Sequence, residues 1–300
     1  MSKYSPIVVF AYNRLSSIKQ VLTNLNKCDL SNETEVFVFV DGNKNDKDFD
    51  SVNSVKEYLY ELKKNNNFLN FNINESPTNN GVDKSIISGV TKIINQYGRV
   101  IVLEDDIVVS NKFLEYMNKS LDYYANNSRI FSIAGYCPNI NLDTNDVFFF
   151  NRIESWGWAS WADRWNNIDW GLTDLDSFIN NQKEIDRFNR GGNDLTEILL
   201  ANMDAWDIRA CYTSFKNGSY TVYPPKSLVK NIGFNGDGTH FKKITHKYDV
   251  EIENDYLPNI VPFNINKKTN KKMHDFYSIS ELKYSLKKIK KIIKRVWRGI

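Results

Sequence analysis

Three short apolar runs, each stopped by polar or acidic residues, constrain this chain most. They are Ile7-Val8-Val9-Phe10-Ala11, Val36-Phe37-Val38-Phe39-Val40 and Val100-Ile101-Val102-Leu103. A strand that is apolar at consecutive positions is covered on both faces, which a parallel sheet sandwiched by helices provides. The segments between the runs read as helices. Ile18, Val21, Leu22 and Leu25 form one stripe, with Ser17 and Gln20 as a capping box. A polar helix is expected around 48–64, a strand near Phe68–Ile73 and a turn at Asn79-Asn80-Gly81. Ile86, Ile87, Val90, Ile93 and Ile94 mark a further helix, and Phe113, Leu114, Met117 and Leu121 another, capped by Ser110. This alternation predicts an α/β fold, Rossmann-like, with a mostly parallel sheet flanked by helices.

In such sheets ligands bind beyond the carboxyl ends of the strands. Arg14, Asp41 and Glu104-Asp105-Asp106 all fall at those ends. Three adjacent carboxylates repel one another, and a divalent cation is the simplest compensation. Their oxygens suit Mn²⁺ or Mg²⁺, which also bind substrate phosphates. Arg14 suits a phosphate or base carbonyl, and Asp41 a ribose hydroxyl or base N–H. Lys84, at the start of the helix after Gly81, adds charge near a phosphate or is simply solvated.

The second half is less regular. Phe148–Phe150 and Ser219–Tyr223 read as strands and 195–217 as a helix closed by Gly218. Five of the seven tryptophans crowd into 156–170, as a core plug or a sugar platform. Trp156 and Trp158 flank Gly157, which permits close approach of a ligand, and are the best two for contact. Asp204 and Asp207 are spaced to share one helical face and are candidates for a general base, or are solvated. His240 follows a glycine-rich stretch from Gly233 to Gly238. It is a surface residue or, beside an acidic site, a metal ligand.

Charge is unevenly spread. Of 39 Lys/Arg and 36 Asp/Glu, residues 267–300 hold twelve and two, which leaves residues 1–266 at net −7. An acidic body argues against nucleic acid as a partner. In the tail, Leu282, Leu286, Ile289, Ile292, Ile293, Val296, Trp297 and Ile300 follow helical spacing among lysines and arginines. This is the pattern of an amphipathic helix on an anionic membrane surface, or of one folded back on the acidic body. Cys28, Cys137 and Cys211 lack any metal or disulfide spacing, and no secretory signal or 20-residue apolar run is read. The expected location is the cytoplasm, at the inner face of a bacterial cytoplasmic membrane.

Five stretches together resemble GT-A glycosyltransferases: Ile7–Arg14, Val36–Gly42, Val100–Val109, Ser155–Trp158, and Ala205 through Lys226 into Gly233–His240. They are similar to the inverting enzymes that add the first N-acetylglucosamine to the N-glycan mannose core, and to bacterial surface-polysaccharide transferases. The resemblance implies that Arg14 and Asp41 hold the uridine end. It makes Asp106 the metal ligand, with Asp105 and Glu104 near ribose and sugar. It implies that Asp207 deprotonates the acceptor hydroxyl, and that the 233–240 loop closes over the donor. The family pattern has two adjacent acids after the tryptophan, whereas here Asp207 is followed by Ile208 and the other acid is Asp204.

The resulting expectation is a GT-A domain over 1–263, with a nucleotide-binding half to about 110 and an acceptor half beyond it. Residues 264–300 are expected to be a basic linker and membrane-surface helix. The expected activity is metal-dependent, inverting transfer of a hexosyl or N-acetylhexosaminyl group. The donor would be a nucleotide sugar, UDP-linked, and the acceptor a glycan or lipid-linked glycan in capsule or lipopolysaccharide synthesis. A sugar-phosphate nucleotidyltransferase and a non-catalytic carbohydrate-binding protein are the alternatives.

Overall fold

The computed structural model describes residues 3–233 and 247–278. The first half alternates as the apolar runs require: β1 (Ile7–Ala11), α1 (Leu15–Asn26), β2 (Glu35–Val40), α2 (Phe49–Lys64), β3 (Asn70–Glu75), α3 (Val82–Tyr97) and β4 (Arg99–Glu104). A short β5 (Ile107–Val109) and α4 (Phe113–Tyr123) follow, then β6 (Ile130–Ala134), β7 (Phe148–Phe150) and β8 (Trp158–Trp161). Short helices come next: α5 (Ala162–Trp165), α6 (Leu175–Ile179), α7 (Gln182–Phe188), α8 (Leu195–Ala201) and α9 (Trp206–Lys216). The remainder is β9 (Tyr220–Tyr223), β10 (Val229–Asn231) and α10 (Lys267–Tyr277).

Eight strands form one sheet in the order β3-β2-β1-β4-β8-β6-β9-β7. β1 to β4 are mutually parallel, β8 runs antiparallel between β4 and β6, and β7 runs antiparallel at the edge. The chain is therefore α/β with a mostly parallel sheet. β5 and β10 make a separate antiparallel ribbon.

The pleat explains the uninterrupted apolar runs. Ile7, Val9, Ile101 and Leu103 point to the layer of α1, α2 and α4, while Val8, Phe10, Val100 and Val102 point to that of α3 and α9. All eight residues are buried. At roughly 25 cal/mol per Å² of apolar surface, burial on both faces stabilises these strands together with the helices that cover them.

Several local expectations shift. α1 begins at Leu15, so Ser17 lies inside it, and Gln20 bonds the Ser16 carbonyl instead of closing a capping box. The Ser110 hydroxyl is buried without a partner; its carbonyl, not its side chain, accepts the Phe113 N–H. The expected 195–217 helix is two helices, broken at residues 202–205. Residues 267–277 are α10, which buries Met273 and Tyr277 against β7, so the body extends past 263. The 282–300 segment lies outside the described residues. Among the described residues, no helix is long and apolar enough to cross a membrane.

Candidate active site

A cleft of about 1100 Å³ opens beyond the carboxyl ends of β1, β2 and β4. Of the residues singled out in the sequence, it is lined by Arg14, Asp41, Glu104, Asp105, Asp106, Trp156 and Asp207. Lys84, Gly157, Trp158 and Asp204 are outside its walls.

The strand ends build its floor. Arg14 leaves β1 just before α1 and lays its guanidinium across two carboxylates. Nη1 donates to Asp106 Oδ2 at 2.8 Å, and Nη2 to Asp105 Oδ1. Asp105 also accepts the Tyr12 N–H at 3.3 Å. One guanidinium does not neutralise three carboxylates. Burial, then the charges of Asp106 and Asp105, pushes the Glu104 carboxyl up to about 8. Burial raises Asp105 to about 6 against the opposing pull of Arg14. The floor thus favours additional positive charge.

Asp106 is also the meeting point with the second half. Its carbonyl accepts the Ile232 N–H at 2.8 Å, as the β5–β10 ribbon runs out. Gly233 sits so close that a Cβ there would come within 2.5 Å of Asp106 Oδ2. The described segment that ends at Gly233 therefore lies against the acidic floor. His240 lies outside the described residues.

Asp41 closes the β2 end. Its carboxylate accepts the N–H groups of Gly42, Asn80 and Gly81 at 2.9–3.1 Å. A Cβ at Gly42 would meet the Thr78 backbone at 2.6 Å, so only glycine lets the β2 end approach this turn. Asp41 thus organises the wall leading into α3. Lys84 is exposed on α3, and its neighbour Asp83 is the residue that enters the cleft.

Asp204 is exposed in the break between α8 and α9 and shares no face with Asp207. Asp207 lies in the first turn of α9, where its carboxylate accepts the Ile208 N–H at 2.8 Å. Burial raises its pKa, the charge of Asp83 adds to that, and Arg152 opposes it. Glu104 is within electrostatic reach of Asp207, so the candidate base and the acidic floor belong to one site.

The tryptophans divide sharply. Trp156 lines the cleft, with its ring edge-on to Tyr136 at 4.7 Å and to Tyr248 at 5.9 Å. Trp158 is 3% exposed and packs between Trp206 at 4.9 Å and Trp165 at 5.5 Å, so it is core and not a sugar contact. Gly157 has φ +63°, and a Cβ there would meet Val229 at 2.9 Å. Its glycine serves interior packing instead of ligand approach.

Sequence reasoning missed Asp83, Arg152, Glu154 and Tyr277. Arg152 pairs with Asp194 through both ends of its guanidinium, at 2.8 and 3.2 Å, and stacks on the Tyr277 ring. Glu154 accepts the Tyr277 hydroxyl at 2.9 Å, and burial pushes its carboxyl up to about 7. Two charges directly after the aromatic strand β7 are a usable signal. Tyr277 gave none, because it arrives from over a hundred residues further along the chain.

No known protein family and no curated protein matches the sequence. Solved structures do match. Residues 1–349 of S. aureus TarS are 13% identical with a TM-score of 0.42, covering 75% of this chain and 59% of that one. A structure of the same TarS segment in complex with UDP-GlcNAc is likewise 13% identical, with a TM-score of 0.39 and coverage of 75% and 57%. GalNAc-T7, solved with UDP, GalNAc and Mn2+, is 11% identical with a TM-score of 0.46, covering 75% of this chain and 43% of that one. The chain thus spans about half the length of the structures it matches.

Proposed function

We propose that this protein is a glycosyltransferase of the GT-A type, moving a sugar from a UDP-linked donor to a hydroxyl of a glycan or lipid-linked glycan. The observation that carries this reading is the largely buried, under-neutralised floor of Glu104, Asp105 and Asp106, of which Asp105 is fully enclosed, held at a strand end in the same cleft as Asp207 and the Trp156 ring. A nucleotide-binding module without chemistry needs no such concentration of acid.

The uridine and ribose lie along Tyr12 to Arg14, Asp41 and the 79–81 turn. Asp106, seconded by Asp105, would hold Mn²⁺ or Mg²⁺. Among the described residues no three His, Cys, Asp or Glu side chains are spaced to cage an ion, and an ion held by one or two carboxylates would be of the kind that also binds substrate phosphates. Such an ion supplies charge neutralisation for the leaving diphosphate. Arg14, paired with Asp105 and Asp106, lies beside this site, and its planar fork would suit a donor phosphate.

Asp207 takes the proton of the acceptor hydroxyl. The hydroxyl oxygen bonds to the anomeric carbon as the carbon–oxygen bond to the diphosphate breaks, and the bonding pair leaves with the nucleoside diphosphate. A single displacement of this kind inverts the anomeric centre. The basic amphipathic pattern of 282–300 makes the protein a peripheral protein at the inner face of a bacterial cytoplasmic membrane, where lipid-linked acceptors for surface polysaccharide are presented.

Turnover of UDP-GlcNAc, UDP-Glc and UDP-Gal to UDP tests the reading. UDP release should require Mn²⁺ or Mg²⁺, stop in EDTA, and fall by about 10²-fold or more in Asp106→Asn. Full turnover in chelator would remove the metal from the proposal.

A further inference from the structure

The wall of the cleft farthest from Arg14 and Asp41 has the chemistry of a second sugar site. Glu154 follows β7 at the far edge of the sheet and is only 8% exposed, yet it lines the cleft. Tyr223, at the end of β9, donates its hydroxyl to the Arg152 carbonyl, which fixes this segment over the β6–β9 side. That side is two to three strand spacings beyond β4, or roughly 10–14 Å at about 4.8 Å per strand. A donor with its diphosphate over the β4 floor reaches one pyranose ring further, which leaves Glu154 for another ring.

The neighbours of Glu154 suit a sugar. Trp156 and Tyr248 line the cleft as half-buried aromatic rings of the kind pyranose C–H faces pack on, with the buried Tyr136 ring edge-on behind Trp156. Arg152 is neutralised by its two-pronged pair with Asp194, and so offers no spare cation for an acidic sugar. Glu154, once ionised above pH about 7, would repel one.

We infer that Glu154 is the hydroxyl-binding carboxylate of the acceptor subsite, that the subsite takes a neutral pyranose stacked on Trp156, and that Tyr277 of α10 is the positioning residue that aims Glu154. This deepens, and rests on, the transferase reading. It makes α10 part of acceptor recognition, although that helix follows the core strands by more than thirty residues.

The test uses the full chain and a panel of immobilised glycans, half neutral and half ending in uronic acid, probed with and without UDP and Mn²⁺. UDP affinity is measured in parallel by calorimetry. Wild-type protein should capture neutral glycans and not uronate-terminated ones. Glu154→Gln should weaken that capture about tenfold, Glu154→Ala more, and Tyr277→Phe by a smaller factor, the scale of one charge-assisted hydrogen bond and of its support. UDP affinity should stay within about twofold in all three. Capture by wild type and loss in Glu154→Gln support the subsite even if UDP fails to bind, a result that would instead count against the donor reading. Absence of neutral-glycan capture by wild type, undiminished capture by Glu154→Gln, or a fall in UDP affinity equal to that in glycan capture would overturn the assignment.

Discussion

Asp83 accepts the backbone N–H of Trp206 at 2.9 Å, so a side chain in the first turn of α3 caps the first turn of α9. Helix starts leave N–H groups unpaired, and α9 has no cap of its own from Ala205. The bond joins the two helices at the cleft and fixes the residue next in sequence, Asp207. It also explains why Asp83 entered the site while Lys84 did not.

Removing that cap should loosen the candidate base without touching the nucleotide end. Asp83→Ala should lower stability by about 1 kcal/mol and kcat by about tenfold, with UDP affinity retained. Asp83→Asn keeps an acceptor oxygen and should recover most of the stability. Equal loss in both variants would show that the charge, not the cap, is what matters.

Asp207→Asn removes proton acceptance while keeping size and the bond from Ile208. Loss of a general base typically costs about 10²-fold or more in rate, so kcat should fall on that scale with donor KM nearly unchanged. Product NMR should show an inverted anomeric centre. A retained configuration would mean that Asp207 is not a base acting in a single displacement.

Glu154 gives stability a pH slope. Its folded pKa, about 7, lies above the usual value of 4.5, chiefly through burial. Between those values the folded protein keeps a proton that the unfolded chain has lost, so stability falls as pH rises from about 4.5 to about 7. The full effect is at most on the order of 3 kcal/mol. Glu154→Gln cannot ionise. It should melt several degrees above wild type at pH 8 and level with it at pH 4.5. Parallel melting curves at both pH values would refute this origin of the slope.

The tail is tested by co-sedimentation. Full-length protein should pellet with vesicles containing anionic phosphatidylserine, less so in high salt, because each basic residue near such a surface adds roughly 1 kcal/mol. A chain ending at Ser280 should remain in the supernatant. If both chains partition alike, residues 282–300 are not a membrane contact.

By itself the sequence determined what short-range chemistry decides. Short continuous apolar runs read as strands covered on both faces, so β1 and β4, their helices and the acids at their ends were legible from residue order; β2 forms as a strand too, but its Phe37 and Phe39 face is only partly buried. The carboxyl ends of parallel strands gather in space, so Arg14, Asp41 and Glu104–Asp106 were predictable as neighbours. The tertiary structure decided everything that depends on distant segments meeting. Trp156 and Trp158 look alike in sequence, yet one lines the cleft and the other stacks between Trp165 and Trp206, because Gly157, at φ +63°, turns the chain between them. Asp204 and Asp207 fit one helix by spacing, but the break before Trp206 puts them in different surroundings. Tyr277 reaches Glu154 only because Met273 and Tyr277 bury against β7. Burial of a few apolar side chains sets such contacts, and local periodicity carries no record of which surface they will find.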